Sequence, residues 1–508
     1  MKIVFITTEI KPHAMNLQYA MDIVGCDYAV IPLPLATLAG LTPSHHELRV
    51  IDENVEAIPD DLDADIVAFS GILCQKDGML ALAKKLKAKG IHVAMGGPIV
   101  HALQEQCAEV ANTLFLGEAE NIWREFIEDF ENDQPKDLYQ ESGFVDMADS
   151  PIPRFDLIKT DRYVSGAVQA TRGCPYACDY CDVPTLLGKK PRSKSIEQVV
   201  EEIKIQAHMG FDSIFIVDDH FAADPNYAKK LLRAIADLLP SLPKKLYFYT
   251  QVPINVAKDE ELLDLMQAAN MRRLFIGLET SDKDKLIAMN KVQNNRVDME
   301  QAIHAIQKRG IIVWAGILFG YDGETKESFN RELEFIKRTG ITPMLIGLVQ
   351  ALPGTPLFDK MQAQERVKEL PMIMGNAATG DSEKAPSNNI IYQSNTYDEL
   401  NKNFHDFLLE LYTPENYTEF VLKGASREVG KSYSGWPNIT WNNIKLLYRV
   451  IKFYLTAEKA DRAIFTRFIG AYLKGQAKNI EELFFHLGIY KHHKEFYSKL
   501  ANNIEANA

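Results

Sequence analysis

The sequence predicts an α/β protein in three parts: a doubly wound parallel sheet over residues 1–135, a partial six-stranded barrel over 161–372, and a mostly helical region over 373–508. Apolar strand-like runs alternate with charged helical segments in the first two parts, as expected for βα units on parallel sheets. A polar stretch at 136–160 is predicted to link them. A content of 46% hydrophobic and 25% charged residues is ordinary for a soluble globular protein.

The first part contains five strand-like runs, with the sequences KIVFIT, ELRVID, DIVAFSG, HVAMGG and TLFLG. In doubly wound sheets the ligand crevice lies at the carboxyl edge of the strands. Four glycines stand at three of these strand ends: Gly71, Gly96, Gly97 and Gly117. Such small residues let a large flat or phosphate-bearing ligand approach the backbone, although glycine is also common in strand-to-helix turns.

The second part contains six strand-like runs, with the sequences AVQAT, SIFIVDD, LYFYTQV, RRLFIGLET, IIVWAGILFG and MLIGLVQAL. Ligands of parallel barrels collect at the carboxyl ends of the strands, so the polar residues and glycines there are the candidates for chemistry. These candidates are Asp218, Asp219, Gln251, Glu279, Thr280, Gly316 and Gly320. Any one acid among them could instead cap the helix that follows.

Three of the six cysteines lie within eight positions, as Cys174, Cys178 and Cys181 in the stretch TRGCPYACDYCD. The start MKIVFITTEI carries no signal-peptide pattern, so a reducing cytosol is expected and disulfides are disfavoured. A structural zinc normally takes four protein ligands, and no fourth Cys or His follows Cys181 at short spacing. Three thiolates from one loop suit an iron–sulfur cluster whose fourth iron has no protein ligand.

The Cx3Cx2C spacing, with Gly173 before the first cysteine and Tyr180 before the last, resembles the signature of the radical S-adenosylmethionine (SAM) superfamily. The resemblance implies a [4Fe-4S] cluster on the three cysteines, whose open iron chelates SAM. Carboxylates accept hydrogen bonds well, so Asp219 is expected to bind the SAM ammonium group and Glu279 its ribose. The remaining residues expected at this cofactor are Gln251, Gly316 and Gly320.

A doubly wound domain before such a barrel resembles the cobalamin-binding class of radical SAM enzymes. The stretches PRFDLI, VDDHF and ALPGTPLF are similar to those of the group that contains the hopanoid C-2 methylases. The resemblance implies a Rossmann-like cobalamin-binding domain, with corrinoid contacts at Ser70, Gly71, Gly96, Gly97, Gly117 and Glu118. Asp52-Glu53-Asn54 stand where the methionine-synthase type carries its DxHxxG motif, so cobalt is expected to lack a histidine ligand.

The resemblance implies a methyltransferase that acts on an unactivated carbon of a lipid-like substrate, hopanoid or other isoprenoid. It also implies an electron donor such as flavodoxin or ferredoxin. Two alternatives stay open at this point. One is a cobalamin-associated enzyme that forms a ring or a C–C bond in a lipid without methyl transfer. The other is a corrinoid or redox sensor that does not cleave SAM.

A formal net charge of −13 argues against nucleic acid as a partner, because phosphate binding needs a basic face. Residues 441–508 differ, with eleven Lys and Arg against six Asp and Glu and many aromatics. This segment is either a packed helical core or a basic–aromatic surface that contacts a membrane. The expected location is cytoplasmic, or peripheral at the membrane. The pairs His45–His46 and His492–His493 are expected at solvated surface.

Overall fold

The structure, a computed structural model, describes residues 1–368, 388–394, 396–427, 441–477 and 480–506. In the first 140 residues the elements are β1 (Lys2–Thr7), α1 (Met21–Val24), β2 (Tyr28–Val30), α2 (Leu33–Leu41), β3 (Glu47–Asp52), β4 (Ile66–Ser70), α3 (Lys76–Ala88), β5 (His92–Gly96), α4 (Pro98–Ala102), α5 (Gln104–Val110), β6 (Thr113–Leu116), α6 (Ala119–Glu131) and β7 (Leu138–Gln140).

The N-terminal sheet is parallel and has the strand order β3-β1-β4-β5-β6-β7. Residues 3–6 of β1 are all buried, because helices cover both faces of the sheet and each face must be apolar. The five predicted strands are present. The sixth, β7, lies within 136–160, which we expected to be a linker. Its three residues, of which only Tyr139 is buried, are too few to give a periodic signal.

The second part contains β8 (Tyr163–Val168), β9 (Thr171–Arg172), α7 (Val183–Leu186), β10 (Arg192–Ser193), α8 (Ile196–His208), β11 (Ser213–Ile216), α9 (Pro225–Leu238), β12 (Tyr247–Gln251), α10 (Glu260–Ala268), β13 (Met271–Glu279), α11 (Lys283–Ala288), α12 (Val292–Asn295), α13 (Met299–Gln307), β14 (Ile312–Phe319), α14 (Lys326–Thr339), β15 (Met344–Leu348) and α15 (Pro356–Ala363).

The barrel sheet is parallel, curls into a half barrel and has the order β15-β14-β13-β12-β11-β8-β2. The predicted α/β class and its six barrel strands are confirmed. The seventh strand was not predicted, because β2 comes from the N-terminal part of the chain and is only three residues long. Tyr28 pairs with Tyr163 and Val30 with Ser165, so the chain enters the barrel sheet between β1 and β3 of the N-terminal sheet. Tyr163 also donates a hydrogen bond from its hydroxyl to Asp52 at the end of β3 (2.8 Å).

The C-terminal part is helical, and its predicted start at residue 373 lies outside the described residues. Its helices are α16 (Tyr397–Leu411), α17 (Pro414–Ala425), α18 (Trp441–Thr456), α19 (Lys459–Leu473) and α20 (Ile480–Ala506). α20 packs against α16 and against residues 13–20, which follow β1. Many of its aromatic side chains, Tyr490 and Tyr497 among them, are buried and form core.

The expectation that His492 and His493 lie at a solvated surface is wrong. Both are fully buried, and their Nε2 atoms lie 3.1 Å from the carbonyl oxygens of His13 and Ala14. Burial lowers the pKa of His493 to about 4, so the ring is neutral at pH 7. The pair therefore fastens the segment after β1 to α20.

The same expectation fails for His46, whose side chain is buried, whereas His45 is exposed. Both Nε2 atoms lie near Oε1 of Glu131, at 2.8 Å for His45 and 3.2 Å for His46. Glu131 ends α6 and is 85 positions away in sequence, so spacing along the chain could not predict the contact.

None of the described helices is long and apolar enough to cross a membrane.

Candidate functional site

The start of the loop that carries the three clustered cysteines is hydrogen-bonded to a buried carboxylate. Asp218, which follows β11, accepts hydrogen bonds from the Ala170 amide (2.7 Å) and the Thr171 hydroxyl (2.8 Å). Burial raises the pKa of Asp218 to about 7, against the hydrogen bonds from Thr171, which favour the ionised form. Asp218 therefore positions the start of the loop at the carboxyl edge of the barrel.

The cysteines differ in their surroundings. Cys178 is buried in an apolar cluster with Tyr180 and Met289, whereas Cys174 and Cys181 are partly exposed. Burial raises the pKa of the Cys174 and Cys181 thiols, because it disfavours the thiolate. Such thiols ionise when a bound metal compensates their charge, which fits a metal or cluster ligand set.

A buried ion pair lies directly behind this loop. Lys291 Nζ donates to Glu279 Oε1 (2.6 Å) and to the Tyr180 hydroxyl (2.9 Å), and the same hydroxyl donates to Glu279 Oε1 (2.8 Å). Burial opposes the charge of Lys291, but the Glu279 carboxylate and the Cys178 sulfur outweigh it and raise the pKa of the lysine. Glu279, expected at a SAM ribose, thus already holds a lysine beside the cysteines.

The backbone at Glu279 is strained. Its φ of 66° is in the left-handed region, which costs a residue with a side chain about 1 to 3 kcal/mol and recurs at functional sites. The carboxylate of this residue accepts from the hydroxyl of Tyr180, which stands between the last two cysteines in sequence.

The sequence interpretation missed the short helix α12. From it, Gln293 Nε2 donates to Cys178 Sγ (3.5 Å), and Asn294 Nδ2 donates to the carbonyls of Gly277 and Leu278 (3.0 Å each). Both side chains are almost fully buried. The available signal was the run KVQNN, in which a lysine precedes three amide side chains without helical periodicity.

Burial, and to a smaller extent the charges of Cys178 and Asp219, raise the pKa of the Cys174 thiol, so Asp219 lies within electrostatic range of the cysteine loop. Burial, and secondly the charge of Asp182, raise the pKa of Asp219 to about 6. The next residue, His220, stacks on the ring of Tyr176 within the cysteine loop, at 5.5 Å between centroids. Asn255 Nδ2 donates to the Tyr176 hydroxyl (3.0 Å).

Several buried polar atoms around the cysteine loop have no hydrogen-bond partner within the described part of the chain. Among them are His220 Nδ1, Asn255 Oδ1 and Gln293 Oε1. A buried polar atom without a partner costs about 1 to 3 kcal/mol, so a polar ligand that satisfied these atoms would be stabilised. The residues present therefore fit a polar cofactor such as SAM next to a cluster on the cysteines.

The other residues expected at SAM are placed less favourably. Gln251 is half-buried at the end of β12, where its carbonyl accepts from the Phe221 amide. A Cβ at Gly316 would lie 3.2 Å from Phe275, and one at Gly320 would lie 3.0 Å from both Asn388 and Tyr392. At Gly320, two side chains of the segment 388–394 therefore lie close to the backbone.

The carboxyl edge of the N-terminal sheet is lined by glycines, as predicted. Gly71 follows β4, Gly96 is the last residue of β5, Gly97 follows β5, and Gly117 follows β6. Gly97 has a φ of 88°, and a Cβ there would lie 2.7 Å from the Gly71 carbonyl oxygen. Position 97 therefore requires glycine because of the neighbouring backbone, whether or not a ligand binds there. Ser70 is half-exposed at the same edge, where Thr8 carries a buried hydroxyl that lacks a partner in the described residues.

Glu118 at this edge is engaged by the barrel. Its carboxylate accepts two hydrogen bonds of 2.7 Å from Arg192 and lies 3.2 Å from Arg172. Arg172 also pairs with Glu120 (2.7 Å), and its charge, acting against burial, holds the pKa of Glu120 below its usual value. Glu118, which we expect at a corrinoid, is therefore also part of an ion-pair cluster with Glu120, Arg172 and Arg192.

Arg172 directly precedes Gly173 and Cys174, whereas Glu118 directly follows Gly117. The ion-pair cluster thus joins the glycine-lined edge of the N-terminal sheet to the cysteine loop of the barrel. Two sites that the sequence predicted separately are held against each other.

Comparisons with known proteins agree with this geometry. Residues 168–336 match the radical SAM superfamily, and residues 355–506 match a domain of unknown function, DUF4070. An uncharacterized methyltransferase of Synechocystis is 30% identical over 80% of this chain and 75% of its own length. The hopanoid C-2 methylase of Rhodopseudomonas palustris is 32% identical over 66% of this chain and 65% of its own length.

The fold is similar to that of two solved cobalamin enzymes. OxsB, a cobalamin-dependent SAM radical enzyme, aligns over 100% of this chain and 81% of its own, with a TM-score of 0.62 and 16% identity. The radical SAM methyltransferase TsrM of Kitasatospora setae aligns over 89% and 99%, with a TM-score of 0.60 and 15% identity. The chain is a radical SAM enzyme and belongs to the family of methyltransferases that includes the Synechocystis protein.

Proposed function

We propose that this enzyme methylates an unactivated carbon of a lipid-like substrate, hopanoid or other isoprenoid, with a [4Fe-4S] cluster, SAM and cobalamin. The observation that carries the proposal is the ion-pair cluster, which holds the glycine-lined edge against the cysteine loop. The hopanoid C-2 methylase relative supports the substrate class. We also propose that an electron donor such as flavodoxin or ferredoxin reduces the cluster.

Each cofactor would have its own residues. Cys174, Cys178 and Cys181 would hold the cluster, which supplies the electron that cleaves SAM to methionine and a 5′-deoxyadenosyl radical. Cobalamin would lie at the edge formed by Ser70 and the glycines, and it supplies a methyl carrier. Asp219 would bind the SAM ammonium group, since it is a half-buried carboxylate within electrostatic range of Cys174.

The protein's own contribution is to exclude water and to set the local charge. An apolar cluster packs around Cys178 and Tyr180, made of Met289, Leu318, Val349, Ala351, Leu357, Met361 and Ile390. Such a wall protects a radical from side reactions with solvent. Lys291 places a positive charge near Cys178, and Gln293 donates a hydrogen bond to its sulfur. Both stabilise the reduced state of a cluster, which carries one more negative charge than the oxidised state.

We predict that Gln293→Leu shifts the reduction potential of the cluster to a more negative value. The substitution keeps most of the volume but removes the donor to Cys178 Sγ, and hydrogen bonds to the sulfurs stabilise the reduced state. The measurement is a redox titration followed by electron paramagnetic resonance. Asn295→Leu, on the same helix but bonded to the Lys283 carbonyl, is the matched control. An unchanged or more positive potential in Gln293→Leu would contradict the assignment.

The charge of Asp219 makes a pH prediction. With a pKa of about 6, the carboxylate is ionised above pH 6 and binds an ammonium group, and it is protonated below pH 6 and loses this attraction. SAM affinity should therefore fall between pH 7 and pH 5. Asp219→Asn should weaken binding at pH 7 roughly tenfold to a hundredfold, since a hydrogen bond to a charged group contributes about 1.5 to 3 kcal/mol.

Anaerobic equilibrium dialysis of SAM against the cluster-containing protein measures both effects. Asp218→Asn is unsuitable as a control, because Asp218 positions the loop, so Asp224→Asn, a helix cap on the exposed start of α9, is used. Equal SAM affinity of wild type and Asp219→Asn at pH 7 would show that another group binds the ammonium.

The corrinoid proposal predicts a spectrum without a histidine ligand. Asn54 stands where a ligating histidine would be, and its side chain is occupied by the Ile10 amide and by Asp52. Bound cobalamin should therefore show a base-off, His-off absorption spectrum. Ser70→Phe should weaken cobalamin binding in equilibrium dialysis by filling the edge, whereas Ser44→Phe, at the opposite end of the sheet, should not. A His-on spectrum, or equal binding by both variants, would refute the site.

The methyl transfer itself is tested with SAM labelled by a trideuterated methyl group, together with reductant, cobalamin and a bacterial lipid extract. We expect a lipid in which one hydrogen is replaced by the labelled methyl, with equal amounts of 5′-deoxyadenosine and S-adenosylhomocysteine. Mass spectrometry measures all three products. 5′-Deoxyadenosine with an altered but unlabelled lipid would instead support ring or C–C bond formation, and no SAM cleavage would support a sensor.

A further inference from the structure

Helix α18 exposes a stripe of large apolar side chains. Ile444, Leu447, Tyr448 and Leu455 are 43%, 40%, 63% and 68% exposed. Six of the fourteen large apolar residues that are exposed in the described chain lie between positions 444 and 473. Single exposed apolar residues are normal, but a concentration of them marks an interaction surface.

The four residues share one face of the helix. At about 100° per residue, positions 444, 447, 448 and 455 fall within an arc of about 100°. The buried side of the helix borders the stripe at Leu447: Val450 and Tyr454 are buried, and the Tyr454 hydroxyl donates to the Leu487 carbonyl (2.9 Å). From this border the apolar stripe extends outward over the exposed surface of the helix.

Basic side chains flank the stripe. Lys445 and Lys452 are exposed and follow it along one side by helix geometry, and Lys474 is exposed next to Leu473, which is 78% exposed. Arg449, which the sequence would group with these lysines, is turned inward and donates to the Val24 carbonyl (3.0 Å). An apolar stripe beside lysines is the pattern of a helix that lies in the interface of an anionic bilayer.

We propose that the α18 face, defined as Ile444, Lys445, Leu447, Tyr448, Lys452 and Leu455, binds the surface of an anionic lipid bilayer. The role of this binding rests on the proposed function, because a lipid substrate would be taken up from such a bilayer surface. The apolar side chains enter the boundary of the acyl chains, while the lysines contact the anionic headgroups. The binding itself requires no turnover, so it can be tested separately.

The test is sedimentation of the full-length, cluster-containing protein with vesicles of equal parts phosphatidylglycerol and phosphatidylcholine. Wild type should sediment with these vesicles, less so in high salt, and less with phosphatidylcholine alone. Leu447→Ser/Leu455→Ser and Lys445→Glu/Lys452→Glu should each lower the bound fraction, by at least about tenfold in partition coefficient for the charge reversal. The matched controls, Leu409→Ser and Lys402→Glu, change exposed residues of α16 and should bind as wild type does.

Equal sedimentation of the wild type and both double variants would overturn the proposal, and so would wild type that stays in the supernatant. A dimer of the wild type that dissociates in Leu447→Ser/Leu455→Ser without vesicles would overturn it as well, because a second copy would then cover the face. SAM cleavage in solution is measured in parallel and should be equal in all variants. Vesicle binding without lipid methylation would refute the proposed substrate but not this surface.

Discussion

The structure depends on the ion-pair cluster of Glu118, Glu120, Arg172 and Arg192. All four side chains are largely buried, so none of the charges can be left without its partner. Removing one partner of a buried ion pair commonly costs about 3 to 5 kcal/mol. Because Glu118 follows the last glycine of one sheet edge and Arg172 precedes the first cysteine of the other, the same contacts that satisfy these charges also align the two sites.

Two further connections hold the same arrangement. β2, which lies in sequence between two strands of the N-terminal sheet, pairs with β8 of the barrel, and Tyr163 of β8 donates to Asp52 at the end of β3. Beyond the sheets, His492 and His493 of α20 hold the backbone that follows β1. The N-terminal segment therefore contacts all three parts of the chain. The glycine-lined edge, the cysteine loop and the helical part are joined through residues that need no cofactor to form their contacts.

The sequence could predict what local pattern encodes. The barrel strands are apolar runs, and Cys174, Cys178 and Cys181 lie within one loop, so both were found. Features that arise from tertiary contact were missed. β2 and β7 are three residues each, too short for a period-two signal. Lys291 and Gln293 belong to a run with no pattern, and their role exists only because α12 packs against the cysteine loop. His492 contacts a residue 479 positions away.

If cobalamin binds at the N-terminal edge and a cluster binds on the cysteine loop, as we propose, the two cofactors lie face to face. Electron paramagnetic resonance tests this arrangement directly, by the relaxation rate of bound cob(II)alamin with the cluster reduced and with the cluster oxidised. We expect faster relaxation when the cluster is reduced, because two paramagnetic centres close together relax each other. A rate that equals that of the cluster-free Cys174→Ala variant in both states would contradict it.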